Sequence, residues 1–131
     1  MKKRIPFVLM LVMAFLLACS TSALADLYWN HTQSCNPGLS FKGTTANCTL
    51  YIKAYDDSAE ITATLKLIRE NTDGTETIVR TWRNLSDTGS LTFSDTKSVT
   101  SGKTYRLEVS AKIKAADGSE TLSEYVRATC P

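Results

Sequence analysis

The residues that could carry nucleophilic or metal chemistry are few: one histidine, His31, and the cysteines Cys35, Cys48 and Cys130, with Cys19 set apart at the end of an apolar N-terminal run. A reactive thiol needs a base close enough to lower its pKa. His31 lies in an irregular N-terminal stretch with no element to hold it against a cysteine. A structural zinc site wants four ligands at compact spacings, and His31, Cys35 and Cys48 supply three. No G-x-S-x-G or comparable catalytic motif occurs. The chain therefore reads as a protein without catalytic residues, metal or cofactor. Thiols of an exported chain instead tend to pair. Cys35 with Cys48 closes a short loop, which is entropically easy, and Pro37-Gly38 can fold the entry segment back. The alternative is Cys48 with Cys130, which a straight first strand would favour. Either pairing leaves one thiol, inert in a monomer or bridging a disulfide-linked dimer.

Six carboxylates, Asp56, Asp57, Glu60, Asp87, Asp117 and Glu120, fall in or beside turns expected at one end of the domain. Such a group could suit a hard cation, but without a D-x-D-x-D-G spacing the reading is that Asp builds the turns by local hydrogen bonding. Tyr28, Trp29, Tyr51 and Tyr55 make a candidate binding surface, since exposed aromatic residues are what binding sites use. Asn-x-Ser/Thr triplets at Asn30, Asn47 and Asn84 would matter only in a eukaryotic secretory route.

The elements that position these residues begin after a leader. Met1-Lys2-Lys3-Arg4 precedes an apolar run from Ile5 to Ala18, and Ala23-Leu24-Ala25 then stands before Asp26. This is the three-part pattern of a signal peptide, and the run of about 14 residues is short of the roughly 20 needed to span a bilayer. Cleavage between Ala25 and Asp26 gives a secreted domain over 26–131. The alternative cut, before Cys19 in Leu16-Leu17-Ala18-Cys19, would lipidate that cysteine and tether the protein to the bacterial membrane. The chain has 131 residues, 43% hydrophobic, with 15 Lys+Arg against 13 Asp+Glu. It has room for one domain. Removing 1–25 removes Lys2, Lys3 and Arg4 but no acid, leaving a nearly neutral domain with no field to steer it to nucleic acid or anionic lipid.

Alternation then dominates. Cys48, Leu50, Ile52 and Ala54 fall on one face of a strand, with Thr49, Tyr51, Lys53 and Tyr55 on the other. Ile61, Ala63, Leu65 and Leu67 repeat the pattern. Asp73-Gly74 and Asp117-Gly118 mark hairpins. The spacing predicts seven strands: 39–42, 48–55, 61–67, 76–83, a short one around Leu91 and Phe93, 103–114 and 120–129, with the cluster from Asn84 to Ser90 ending the fourth. The expected fold is an all-β, seven-stranded antiparallel two-sheet sandwich, with a small closed barrel as the alternative.

The segment from Val99 to Ala111, with Gly102, then Tyr105, then apolar Leu107, Val109 and Ala111, resembles the corner and sixth strand of fibronectin type III and related immunoglobulin-like domains. That resemblance implies that the Tyr105 hydroxyl returns to the backbone across the corner. Leu107 stands where antibody-type members have a core cysteine, and the early core tryptophan of fibronectin modules is missing. The chain is also similar to small secreted single-domain bacterial proteins of unknown role. These sandwiches host many functions. The expected function is a secreted, non-catalytic binding module of the bacterial exterior whose partner is a protein or cell-surface ligand. A secreted antagonistic protein or inhibitor is the alternative.

Overall fold

Period-two alternation gives strands and no helix over residues 29–131, the residues described in the computed structural model. The expected leader over 1–25, its cleavage point at Ala25 and Asp26, and Cys19 and Tyr28 lie outside the described residues. The strands are β1 (Thr32–Lys42), β2 (Thr45–Ala54), β3 (Glu60–Glu70), β4 (Glu76–Thr88), β5 (Ser90–Ser98), β6 (Thr104–Ala115) and β7 (Gly118–Thr129). Every ladder is antiparallel. They form a three-stranded sheet, β1-β2-β5, and a four-stranded sheet, β4-β3-β6-β7. The fold is an all-β two-sheet sandwich; the sheets do not close into a barrel.

The core lies where the alternation places it. Leu50 and Ile52 from β2 face Leu65 and Leu67 from β3 and Leu107 and Ile113 from β6, each 1% exposed or less. β6 pairs with β3 over eleven positions without a shift, and with β7 over twelve. Trp82, from the strand whose inner face the sequence leaves undefined, points inward at 7% exposure. Its indole N–H donates to Asp95 Oδ2 at 2.8 Å, and its ring meets Phe93 edge-on at 5.7 Å.

Two expected boundaries are corrected. The first strand begins at Thr32 rather than Leu39 and includes Pro37; β1 is an edge strand, where a missing backbone N–H breaks no ladder. The fourth strand does not stop at Asn84. It shifts register against β3 between Ala63 and Leu65, with Asn84 in the left-handed region at φ 58°, and then continues to Thr88. Asn tolerates that conformation better than most residues, so the polar cluster makes a bulge instead of a stop.

The ends of the sandwich are pinned by close approaches. At one end Gly89, φ 78°, joins β4 to β5. Its N–H donates to Ala59 O at 2.8 Å and its carbonyl accepts from Ala54 N at 3.0 Å. A Cβ there would sit 2.5 Å from the Asp57 carbonyl oxygen, so only glycine fits. At the other end Tyr105 is 1% exposed, its ring tilted against Phe41 at 5.9 Å. Its hydroxyl accepts a hydrogen bond from Thr100 N at 2.8 Å, tying the β5–β6 connection to the start of β6. Removing the hydroxyl by Tyr105→Phe leaves the Thr100 N–H without that part-buried acceptor. Chemical denaturation should show a loss of about 1–2 kcal/mol, and an unchanged midpoint would show that the corner bond contributes nothing.

Candidate ligand-binding face

The residues with chemical potential are kept apart. Cys35, Cys48 and Cys130 are all free and buried, so neither the Cys35–Cys48 disulfide nor the Cys48–Cys130 alternative is formed. The β1–β2 register explains the first: Cys35 lies opposite Ile52 and Cys48 opposite Leu39. That offset is four residues, about 13 Å at the usual strand rise, while a disulfide needs Cα atoms within roughly 7 Å. Cys130 sits past the end of β7 with Sγ 3.4 Å from the Gly43 carbonyl oxygen, at the β1–β2 turn. Burial, reinforced by Glu124, pushes the Cys35 thiol up to about 12. Burial, reinforced by Asp95, pushes Cys48 up to about 11. Neither forms appreciable thiolate at neutral pH.

His31 is drawn to the β6–β7 end, away from the thiols. Its Nδ1 lies 3.6 Å from Asp117 Oδ1, and its backbone N–H donates to Glu120 Oε1 at 2.7 Å. The same oxygen accepts from the Thr32 hydroxyl at 2.8 Å. The other carboxylates of this end are used locally: Asp56 accepts from Ser58 N at 2.9 Å, Asp57 pairs with Lys53 at 3.1 Å, and Asp87 accepts from Thr88 N at 2.8 Å. Among the described residues no three His, Cys, Asp or Glu side chains are grouped to hold a metal.

Of the aromatic candidates, Tyr51 is 42% and Tyr55 65% exposed, and Trp29 is half-buried. No ring contact joins Tyr51 and Tyr55 among the described residues. They are separate exposed rings on and just beyond β2.

A concave surface lies on the outer face of the four-stranded sheet, where the sequence marked no site. A groove of about 510 Å³ crosses β3, β4, β6 and β7, with Lys66 and Arg83 on one side, Glu108 and Ser110 along its middle and Tyr125 on the other. Shallower depressions continue it in both directions, sharing Tyr125 and Glu108 at one end and Thr64 and Ser110 at the other. Tyr125 is 62% exposed. The β4 bulge shapes the opposite wall. By setting both Arg83 and Asn84 against Thr64, it turns two consecutive side chains toward this face, and both line it.

One end of the groove is framed by an ionic cluster. Glu70 accepts from Arg106 Nη1 at 2.9 Å and from Arg127 Nη2 at 2.5 Å, and Arg106 Nη2 lies 2.8 Å from Glu76. Arg106 Nε is buried without a hydrogen bond, 3.4 Å from Glu108 Oε1. The bond from Arg127 is the main cause that holds the Glu70 carboxyl below its ordinary value of 4.5; desolvation opposes it, and the bond from Arg106 adds to the lowering. The signal for this face is present in the sequence as the polar half of the alternation, Arg106, Glu108, Ser110 and Lys112. Only the pairing of β6 with β3 and β7 makes it one surface.

The class defined by these observations is an all-β sandwich carrying an open groove on one sheet. Among the described residues no helix is long and apolar enough to cross a membrane. No protein-family model matches the chain, and no curated protein matches it. Among solved structures it is similar to part of a β-glucuronidase of Parabacteroides merdae, with a TM-score of 0.42 and 12% identity over 72% of this chain and 13% of that one.

Two outcomes are expected. At pH 8 Cys35 and Cys48 should resist iodoacetamide in the folded protein and alkylate rapidly in urea, with intact mass unchanged by reductant; a gain of two mass units on reduction would show a bridge. For Glu70, the folded pKa lies below the unfolded one, near 4.3. Its contribution is complete above that value and is lost as pH falls through the folded pKa. Glu70→Gln should therefore lower the denaturation midpoint at pH 7 and converge on the wild type under acid. A gap that persists at pH 2 would show that the carboxylate's charge is not what matters.

Proposed function

We propose that this chain is a secreted, non-catalytic binding module of the bacterial exterior, built as a fibronectin type III-like sandwich. The three-plus-four division of strands and the Tyr105 corner support that class. Residues 1–25 direct export, with cleavage between Ala25 and Asp26, and the domain over 26–131 meets its ligand outside the cell. The observation that carries the reading is the groove on the β4-β3-β6-β7 face, with an exposed tyrosine beside charged and hydroxyl side chains. A rigid ladder beneath such a surface holds recognition groups at fixed spacing. The two thiols held protonated well above neutral pH fit binding rather than nucleophilic chemistry.

Protein recovered from the medium of producing cells should have the mass of a chain starting at Asp26; a lipid-sized increment on a chain starting at Cys19 would replace free secretion with tethering. On immobilised panels of glycans and peptides the wild type should capture a ligand and return it chemically intact. Tyr125→Ala should weaken that capture about tenfold or more with the denaturation midpoint shifted by no more than about 0.5 kcal/mol, as for an exposed position. Turnover of the ligand, or capture indifferent to Tyr125, would overturn the reading.

A further inference from the structure

The chemistry of the groove narrows its ligand, an inference that rests on the binding role just proposed. Its three connected depressions are lined by five cationic and three acidic residues; one of the acids, Glu124, lies opposite buried Val109 in the inward set of β7 and acts on Cys35 rather than on this face. The other two are already answered: Glu70 by Arg106 and Arg127, and Glu108 by Arg106. Lys66 and Arg83 make no ion pair among the described residues. With Lys112, which is likewise unpaired among the described residues, the face thus offers three uncommitted cations, Arg83 standing at the β4 bulge. The turn carboxylates Asp56, Asp57, Asp87 and Asp117 are gathered elsewhere, at one end of the sandwich. A ligand lying along this groove gains by carrying negative charge.

The remaining lining sets its other properties. Thr64, Ser110, Ser123, Asn84 and Thr121 present hydroxyl and amide groups, and Tyr125 is the one aromatic ring. The surface is therefore rich in short hydrogen-bonding side chains and poor in apolar pockets. A peptide recognised as an added strand needs free backbone groups at a sheet edge and pockets for alternate side chains. Here the floor strands β3 and β6 are paired on both sides, so the face has no free backbone to give. A chain of sugar rings makes the opposite demand: many hydroxyl partners, a flat apolar ring to stack on, and an anchor for any acidic substituent. From Arg106 to Lys112 the face extends about 20 Å along β6, room for several sugar units.

We infer that the outer face of the β4-β3-β6-β7 sheet binds a carboxylated polysaccharide. Lys66 and Arg83 take a carboxylate, Tyr125 carries the apolar face of a sugar ring, and Ser110, Ser123 and Thr64 bond its hydroxyls. The test is calorimetric titration of the secreted domain, residues 26–131, with polygalacturonate, alginate and hyaluronate, and with dextran and polyglutamate as comparators. At least one acidic polysaccharide should bind, more weakly as salt rises from 20 to about 300 mM. Arg83→Gln and Lys66→Gln should each raise its Kd about tenfold or more, while Tyr51→Ala, on the other sheet, should leave it unchanged. Binding of polyglutamate as tight as that of the polysaccharide would replace the inference with an acidic peptide ligand. Failure to bind any of the three polysaccharides, or indifference to both cation variants, would overturn it. Capture of dextran or of any panel ligand that still depends on Tyr125 would then preserve the binding-module reading, whereas loss of all Tyr125-dependent capture would sink both.

Discussion

Both the core and the candidate site depend on the register between β3 and β6. Their eleven unshifted pairs, from Glu60 opposite Lys114 to Glu70 opposite Thr104, fix two surfaces at once, because side chains alternate with a period of two. Leu65 and Leu67 point into the sandwich with Leu107 and Val109. Lys66 and Thr64 point out with Glu108 and Ser110. A slip of one residue would exchange the sets, burying Lys66 and Glu108 in an apolar space and exposing the leucines. Burying an unpaired ion costs several kcal/mol even after relaxation, so the core enforces the position of every group that β3 and β6 give to the groove. The site needs no separate device to hold it in place.

The same coupling explains where charge is tolerated. Arg106 is 16% exposed and Glu70 21%, low values for charged residues, and they are affordable because each meets several partners at the sheet's end. Glu70 alone receives bonds from two strands, β6 through Arg106 and β7 through Arg127. Isolated surface pairs contribute little to stability; a cluster spanning four strands can fix side-chain geometry even where its net stabilisation is modest. Its consequence for the site is local: it occupies Arg106, Arg127 and Glu108 at one end, leaving Lys66, Arg83 and Lys112 as the cations free for a ligand.

How much of this was legible in the sequence follows the range of each signal. Alternation within a single strand is local, and the inner faces of β2, β3 and β6 could be read directly from Cys48 to Ala54, Ile61 to Leu67 and Tyr105 to Ile113. Turn chemistry is local too: Asp73-Gly74 falls between β3 and β4, and Asp117-Gly118 makes the β6–β7 turn, with Gly118 opening β7. Signals that arise between strands were invisible. Whether Cys35 can reach Cys48 is decided by the β1–β2 offset, which no spacing reveals. β4 defeats a reading by period because its pairing with β3 shifts twice, between Ala63 and Leu65 and between Leu67 and Ile68. The groove draws Thr64, Arg83, Ser110 and Tyr125 from four strands, so its residues look in sequence like ordinary wet positions. The aromatic residues that stood out, Tyr51 and Tyr55, are exposed but not joined.

The bulges of β4 serve two physical ends. An edge strand with regular, unpaired backbone groups invites pairing with another chain, and β4 is the edge beside the groove. Two register shifts in thirteen residues twist that edge out of the flat geometry a foreign strand would need. The shift at Thr64 has a second effect, since the left-handed Asn84 restores inward orientation to Leu85 only by spending an extra outward residue. That residue doubles the polar side chains on the groove wall. Deleting one residue of the Arg83-Asn84 pair would thus remove this shift, leaving only the one between Leu67 and Ile68 to break the edge, and take away one side of the site with it. Protection of the edge and construction of the groove are a single feature of the backbone, so selection on either would preserve both.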